Sequence, residues 1–427
     1  MIILIIDGMG SSYINPAAPP QALNGEPIRT ANIPELQSMI SEGLLIPNVA
    51  VPTPKTGPAH SVIITGYSRA EQEMVEFPGA TIYDILGGEG FLSIALMHKG
   101  DFSQLRSEQD IGLFSESNSI TEPSIKIQIN NDLASAGLIN ELEYWEHKLP
   151  DYLEGTGGLE SYVAYEAWEL DASQDIVSFM AQEHPDTRYI FTINVGMVDS
   201  AGHYRGVEGY LGSIEGFDKS LKPLYAAARD SNTAFVITAD HGMAFKSADS
   251  PRGGHASDDY YCDEAITVPL IIFSPNVEPG EMDQEFGQEV VVPTLLSIMD
   301  IPNCPKYTDG EAIPVKDYAN LWITSNTRTD VEILQGTEII SSGVGDNSYI
   351  FAGLKPKGNY IVKVSNGDET NEHAVDLDID RLVRFETSAS AVEDKEWDIE
   401  SWRKPVASVM IFLVIIVGVL VIIRIKD

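Results

Sequence analysis

The sequence predicts an α/β fold: a mostly parallel sheet flanked by helices, then a small antiparallel β domain, then one C-terminal transmembrane helix. Three observations predict it. From Met1 to about residue 315, near-continuous apolar runs of strand length alternate with helix-length segments, as expected for strands covered on both faces. From Tyr318 the runs become short and alternating, separated by Gly, Asn and Asp, the period of half-buried strands. Residues 405–423 form an uncharged apolar run, long enough to cross a bilayer core as one helix.

The elements follow in order. IILII (2–6) reads as a buried strand that ends at a Gly-rich turn. It is not a secretory signal, because no basic region precedes it and Asp7 interrupts it. Further strands are expected at 91–97, 189–195, 234–238 and 268–274, and helices at 34–42, 173–182 and 207–229. The polar, weakly periodic stretch 101–170 reads as an insertion or cap within a first domain spanning 1–315. A sandwich-like β domain is expected at 318–386, where Asn366-Gly367 marks a hairpin. An acidic linker at 387–404 then leads to the apolar run, which is flanked by Arg403 and Lys404 on one side and Arg424 and Lys426 on the other. This pattern implies a single-pass membrane anchor. With no signal ahead of the first strand, the first domain is expected on the cytoplasmic side.

Composition narrows the function. The 427 residues include 64 Asp and Glu against 27 Lys and Arg, a net charge of -37. That excludes a general nucleic-acid binder, which needs a basic face. It also disfavours passive attraction to anionic lipid. Cys262 and Cys304 cannot form a disulfide framework.

The chemistry-bearing residues fall at strand ends and glycine loops. Asp7 ends the first strand, and ligands bind outside the carboxyl ends of strands in open α/β sheets. In VPTPKTGPAHS, Thr56 stands at the start of a helical stretch, where free amides and the helix dipole suit a phosphate. His60 reads as a packed helix residue. Asp199 and His203 follow the strand ending near Val195, and Asp240 and His241 follow the strand at 234–238. His255 sits in a Gly-rich loop. Three carboxylates, three imidazoles and one hydroxyl form a mixed O/N set that suits two divalent ions. Two ions roughly 4 Å apart would clamp the oxygens of a phosphoryl or sulfuryl group, and would activate the Thr56 hydroxyl, which is a poor nucleophile unaided.

The order Asp7, Thr56, Asp199-x-x-x-His203, Asp240-His241, His255 resembles the alkaline phosphatase superfamily over about residues 1–314. TGPAHSVIITG is similar to the nucleophile segment of the nucleotide pyrophosphatase/phosphodiesterase branch. NVGMVDSAGHYRG and VITADHGMA also look like segments of cofactor-independent phosphoglycerate mutases. The resemblance implies an alkaline-phosphatase-like catalytic domain. One metal would be held by Asp199, His203 and His255, the other by Asp7, Asp240, His241 and Thr56. Zinc is the first expectation, with manganese or iron as alternatives. It implies a phosphoesterase that cleaves a small phosphodiester or pyrophosphate through a phospho-threonine intermediate. Phosphomonoester or phosphonate hydrolysis and mutase-like transfer are the alternatives, and a non-catalytic membrane-anchored binding module is the rival from another class. The sulfatase motif is lacking, and so is the asparagine that the phosphodiesterase branch places after the nucleophile helix: residues 67–80 contain none. Lys55 and Asn194 are the candidate substrate contacts. The β domain itself gives no chemistry; a spacer and a binder of a partner at the membrane surface both stay open.

Overall fold

The computed structural model describes residues 1–98, 103–117, 119–367, 369–386 and 390–392. The chain folds as two units. The first comprises Met1–Asn320 with Gly353–Lys357 and Leu377–Asp380, and the second comprises Leu321–Ala352, Gly358–Asp376 and the described residues from Arg381.

The strands of the first unit are β1 (Ile2–Ile6), β2 (Leu44–Ala50), β3 (Leu92–Met97), β4 (Ile111–Ser117), β5 (Ser124–Ile129), β6 (Tyr189–Val195), β7 (Phe235–Thr238), β8 (Ala244–Phe245), β9 (Gly253–Gly254), β10 (Thr267–Phe273), β11 (Gly280–Glu281) and β12 (Phe286–Gly287). All but β8 and β9 form one sheet, in the order β11-β2-β10-β7-β1-β6-β3-β4-β5 with β12 also on β2. Strands β1, β3, β6 and β7 are buried along their whole length, which is why they read as unbroken apolar runs.

The sheet is mixed, and this corrects the expectation of a mostly parallel one. Strand β10 pairs antiparallel with both β2 and β7, and β4 pairs antiparallel with β5. Connection length explains both cases. The β4–β5 link is too short for a crossover, so the chain must turn back as a hairpin. The β7–β10 link carries only one short α-helix, Asp263–Ile266, so the chain re-enters the sheet from the edge it left. Strands β4 and β5 also show that part of the expected insertion extends the main sheet. That stretch also carries the helix Ala136–Glu146 and the start of the long helix Leu159–Glu183. Strand β2 escaped the sequence reading because Pro47 and Asn48 interrupt its apolar pattern.

The second unit is one six-stranded sheet: β13 (Ala319–Gln335), β14 (Glu338–Leu354), β15 (Gly358–Asn366), β16 (Glu369–Leu377), β17 (Arg381–Glu386) and β18 (Ser390–Val392). Two corrections apply. The runs from Tyr318 are not all short: residues 319–335 form one 17-residue strand, β13. The sheet is not wholly antiparallel, because β17 lies parallel to β13; the intervening hairpins provide the long connection a parallel pair needs.

Among the described residues, no helix is long and apolar enough to cross a membrane. The expected transmembrane helix, 405–423, lies outside the described residues. The single-pass anchor, and the membrane localisation and cytoplasmic placement derived from it, are therefore withdrawn.

Candidate metal centre

Three neighbouring parallel strands build the centre of the site. Strand β1 lies between β6 and β7, with Ile5 level with Asn194 on one side and Thr238 on the other. Their carboxyl ends therefore share one edge. Asp7 leaves β1 there, Asp240 and His241 leave β7, and the helix Met197–Asp230 starts just after β6. Asp199 and His203 lie on the first two turns of that helix, four residues apart and thus on one face. Strand β2 also ends at this edge, since it is antiparallel to β10, which is antiparallel to β7. It delivers Thr56 as the first residue of helix Thr56–Thr65. Because β10 runs antiparallel, the β7–β10 link leaves and re-enters the sheet at this same edge, which keeps His255 beside His241.

The approach of β1 to the Asp199 helix requires glycine at position 8. Gly8 has φ +81°, and a Cβ there would lie 3.0 Å from both Cα and Cβ of Asp199. The Tyr210 hydroxyl donates to the Gly8 carbonyl at 2.7 Å and accepts from the Gly10 amide at 3.1 Å. The amides of Gly8 and His241 donate to Asp240 Oδ1 at 3.1 and 2.8 Å.

The side chains converge in one cluster. His203 Nε2 and His255 Nε2 lie 3.3 and 3.4 Å from Asp199 Oδ1, and 3.1 Å from each other. His241 Nε2 lies 3.5 Å from Asp7 Oδ1, 3.3 Å from Asp240 Oδ2 and 3.4 Å from Thr56 Oγ1. The rings of His241 and His255 stack at 3.6 Å. Two groups of potential ligands result: Asp199, His203 and His255, and Asp7, Asp199 and His241. Asp199 stands in both groups, whereas the sequence placed it in the first set only; Asp240 and Thr56, expected in the second set, are not in the second group but lie 3.3 and 3.4 Å from His241 Nε2.

The hydrogen-bond pattern fits a cation. Each of the three candidate imidazoles has Nδ1 beside a backbone carbonyl: His203 at Gly253, His241 at Gly242 and His255 at Pro54, at 3.2, 3.0 and 2.8 Å. Nδ1 is then the protonated nitrogen, and the lone pair of Nε2 points into the cluster. Asp199 Oδ1 and Asp240 Oδ2 are buried there and accept no hydrogen bond from the described residues. Lone pairs facing lone pairs in a dry site call for positive charge. Burial alone would raise the Asp199 and Asp240 carboxyls; in their protonated form the neighbouring imidazoles outweigh it and hold both below the usual range, and a bound cation would take that place when Nε2 is unprotonated. Burial, then the facing His241, pushes His255 down to about 4, so it is neutral and ligand-competent at pH 7. His203 is raised by its contact with Asp199.

The remaining candidates fall around the cluster. His60 is buried, with Nδ1 2.8 Å from the Thr56 carbonyl and 3.4 Å from Asp240 Oδ2, and Nε2 against the Asn194 amide. Asn194 is 1% exposed, so it lies beneath the cluster, propping His60. Lys55 is exposed at the N-cap position, and its side chain does not cap the helix. Sequence reasoning missed Gln72. A Cβ at Gly57 would fall 1.7 Å from Gln72 Nε2, so this amide rests on the helix start beside Thr56. Its only sequence signal was an amide residue within 67–80.

A model of the family described as Metalloenzyme superfamily matches residues 1–300. A phosphopentomutase of Yersinia pseudotuberculosis serotype O:1b (strain IP 31758) is 29% identical over 136 residues, 31% of this chain and 30% of that protein. One from Erwinia tasmaniensis is 30% identical over 112 residues, 26% of this chain and 25% of that protein. The chain thus matches less than a third of the length of these curated relatives. The solved alkaline phosphatase PafA superposes with a TM-score of 0.53 at 12% identity, covering 74% of this chain and 98% of that one, which is a likeness of fold. The alkaline-phosphatase-like character and the mutase-like segments read from the motifs agree with these relatives, and the chain belongs to the Metalloenzyme superfamily.

Proposed function

We propose that the first unit is a metal-dependent phosphoesterase that acts on a small phosphodiester or pyrophosphate, with Thr56 as nucleophile. The observation that carries this reading is the position of Thr56 Oγ1, 3.4 Å from His241 Nε2 at an uncapped helix N-terminus. Divalent ions held by Asp7, Asp199, His203, Asp240, His241 and His255 would lower the pKa of the Thr56 hydroxyl and stabilise charge on the phosphoryl oxygens. Zinc heads the candidates for this ligand set, with manganese or iron as alternatives.

Thr56 Oγ attacks phosphorus in line. The new O–P bond forms as the bond to the leaving oxygen breaks, and the leaving group departs with a proton. Water then cleaves the phospho-threonine and restores the hydroxyl. The amides of Thr56 and Gly57 at the helix start suit a phosphoryl oxygen. Gln72 Nε2, resting on Gly57, is placed to donate to a second one. His60 and Asn194 orient Thr56 and Asp240 from below. Mutase-like phosphoryl transfer is the second reading, favoured by the phosphopentomutase relatives.

The test is a turnover screen of metal-reconstituted protein on an aryl phosphate monoester, an aryl phosphate diester and an aryl sulfate. Faster turnover of the diester is expected. Preferential cleavage of the sulfate, or no turnover of any ester by protein with full metal content, would overturn the reading.

A further inference from the structure

Beside the carboxylate–imidazole cluster lies a cavity of about 1020 Å³, at the large end for a small-molecule site. One wall is the start of helix Met197–Asp230, with Met197, Ser200, Tyr204 and Arg205. The other includes Ser161 and Tyr162. Asp199 and His203 do not line it. At about 100° per residue they face roughly a third of a turn away from Ser200 and Tyr204. The ligand groups and the cavity thus occupy neighbouring faces of one short helical piece, which breaks at Gly206.

Arg205 is the cation of this cavity. Its guanidinium sits over the Tyr162 ring, 5.6 Å from the centroid, and the residue is exposed. Among the described residues it has no carboxylate partner. With 64 acidic residues against 27 basic ones, partners abound elsewhere: Arg29 takes two, Glu208 and Glu215. The acids on the cavity wall leave Arg205 alone. Asp151 is drawn to Lys148 at 3.1 Å, and Glu154 is exposed. The tyrosine ring supports the guanidinium at the cavity wall, which Arg205 lines.

We propose that this cavity holds the part of the substrate beyond the reacting phosphoryl group, and that Arg205 there selects substrates carrying a second phosphate. The inference rests on the phosphoesterase reading above. A guanidinium fork matches a phosphate with two parallel hydrogen bonds. Met197 and Ser200 on the cavity wall flank Asp199 in the same helix, so a substrate whose reacting phosphoryl group lies at the cluster can extend past this helix start towards Arg205.

The test uses the metal-loaded full chain and two probes that differ by one phosphate, fructose 6-phosphate and fructose 1,6-bisphosphate, with affinities measured by calorimetry. The bisphosphate should bind at least ~tenfold more tightly, and Arg205→Gln should bring the ratio of the two affinities to within about twofold. No preference in the unaltered protein overturns the proposal whether or not the variant folds, and so does a preference that survives Arg205→Gln. Hydrolysis of an aryl phosphate without any bisphosphate preference sinks the Arg205 proposal alone. A preference lost in Arg205→Gln, with no ester hydrolysed, sinks the phosphoesterase reading alone.

Discussion

Replacing Gly8 by alanine tests whether the gap between β1 and the Asp199 helix sets the geometry of the cluster. Two costs can be read from the structure. The left-handed conformation at φ +81° costs a residue with a Cβ about 1–2 kcal/mol. The added Cβ, 3.0 Å from Cα and Cβ of Asp199, must push the helix or β1 aside. That loosens the bonds from the Gly8 amide to Asp240 and from Tyr210 to the Gly8 carbonyl, each worth about 1 kcal/mol. We expect a loss of about 2–4 kcal/mol in urea unfolding of the chelator-treated protein, with the slope unchanged. We also expect weaker metal binding, because Asp199 contributes to both ligand groups. Gly8→Asn separates the costs. It carries the same Cβ, but asparagine tolerates the left-handed region, so it should recover roughly the strain portion. If Gly8→Ala cost less than about 0.5 kcal/mol and kept full metal content, the close approach would not control the site.

Three further outcomes are expected. Thr56→Ala should abolish turnover while keeping fold and metal content, and no phosphorylated protein should be trapped on acid quench; full activity would remove the covalent step. His241→Ala should lower metal content by about one equivalent per chain in elemental analysis, since it removes an inward-facing ligand; unchanged stoichiometry would reject its role. The chelator-treated protein should lose stability as pH falls. The folded pKa of His255, about 4, lies below its unfolded value of 6.5. Its contribution is therefore complete above pH 6.5 and disappears as pH falls towards 4, because the unfolded chain takes the proton first. Urea midpoints at pH 7, 5.5 and 4.5 should fall less steeply in His255→Gln; equal slopes would remove His255 as the cause.

What the sequence determined by itself was local. Strands β1, β3, β6, β7 and β10 were legible because burial on both faces writes a continuous apolar run, and that signal needs no knowledge of neighbours. The candidate ligand residues stood out because carboxylates and imidazoles directly after such strands lie where open α/β sheets bind ligands. Tertiary structure decided what depends on pairing. The antiparallel entry of β10 follows from a connection without a long helix, and no residue in VPLIIFS encodes that direction. The position of Asp199 in both ligand groups follows from the register of β1 against β6 and from the room left at Gly8. The free guanidinium of Arg205 could not be read at all. A charge is paired or unpaired by what folds against it, and Tyr162 reaches Arg205 from 43 residues away in the chain through the packing of helix Leu159–Glu183 on helix Met197–Asp230.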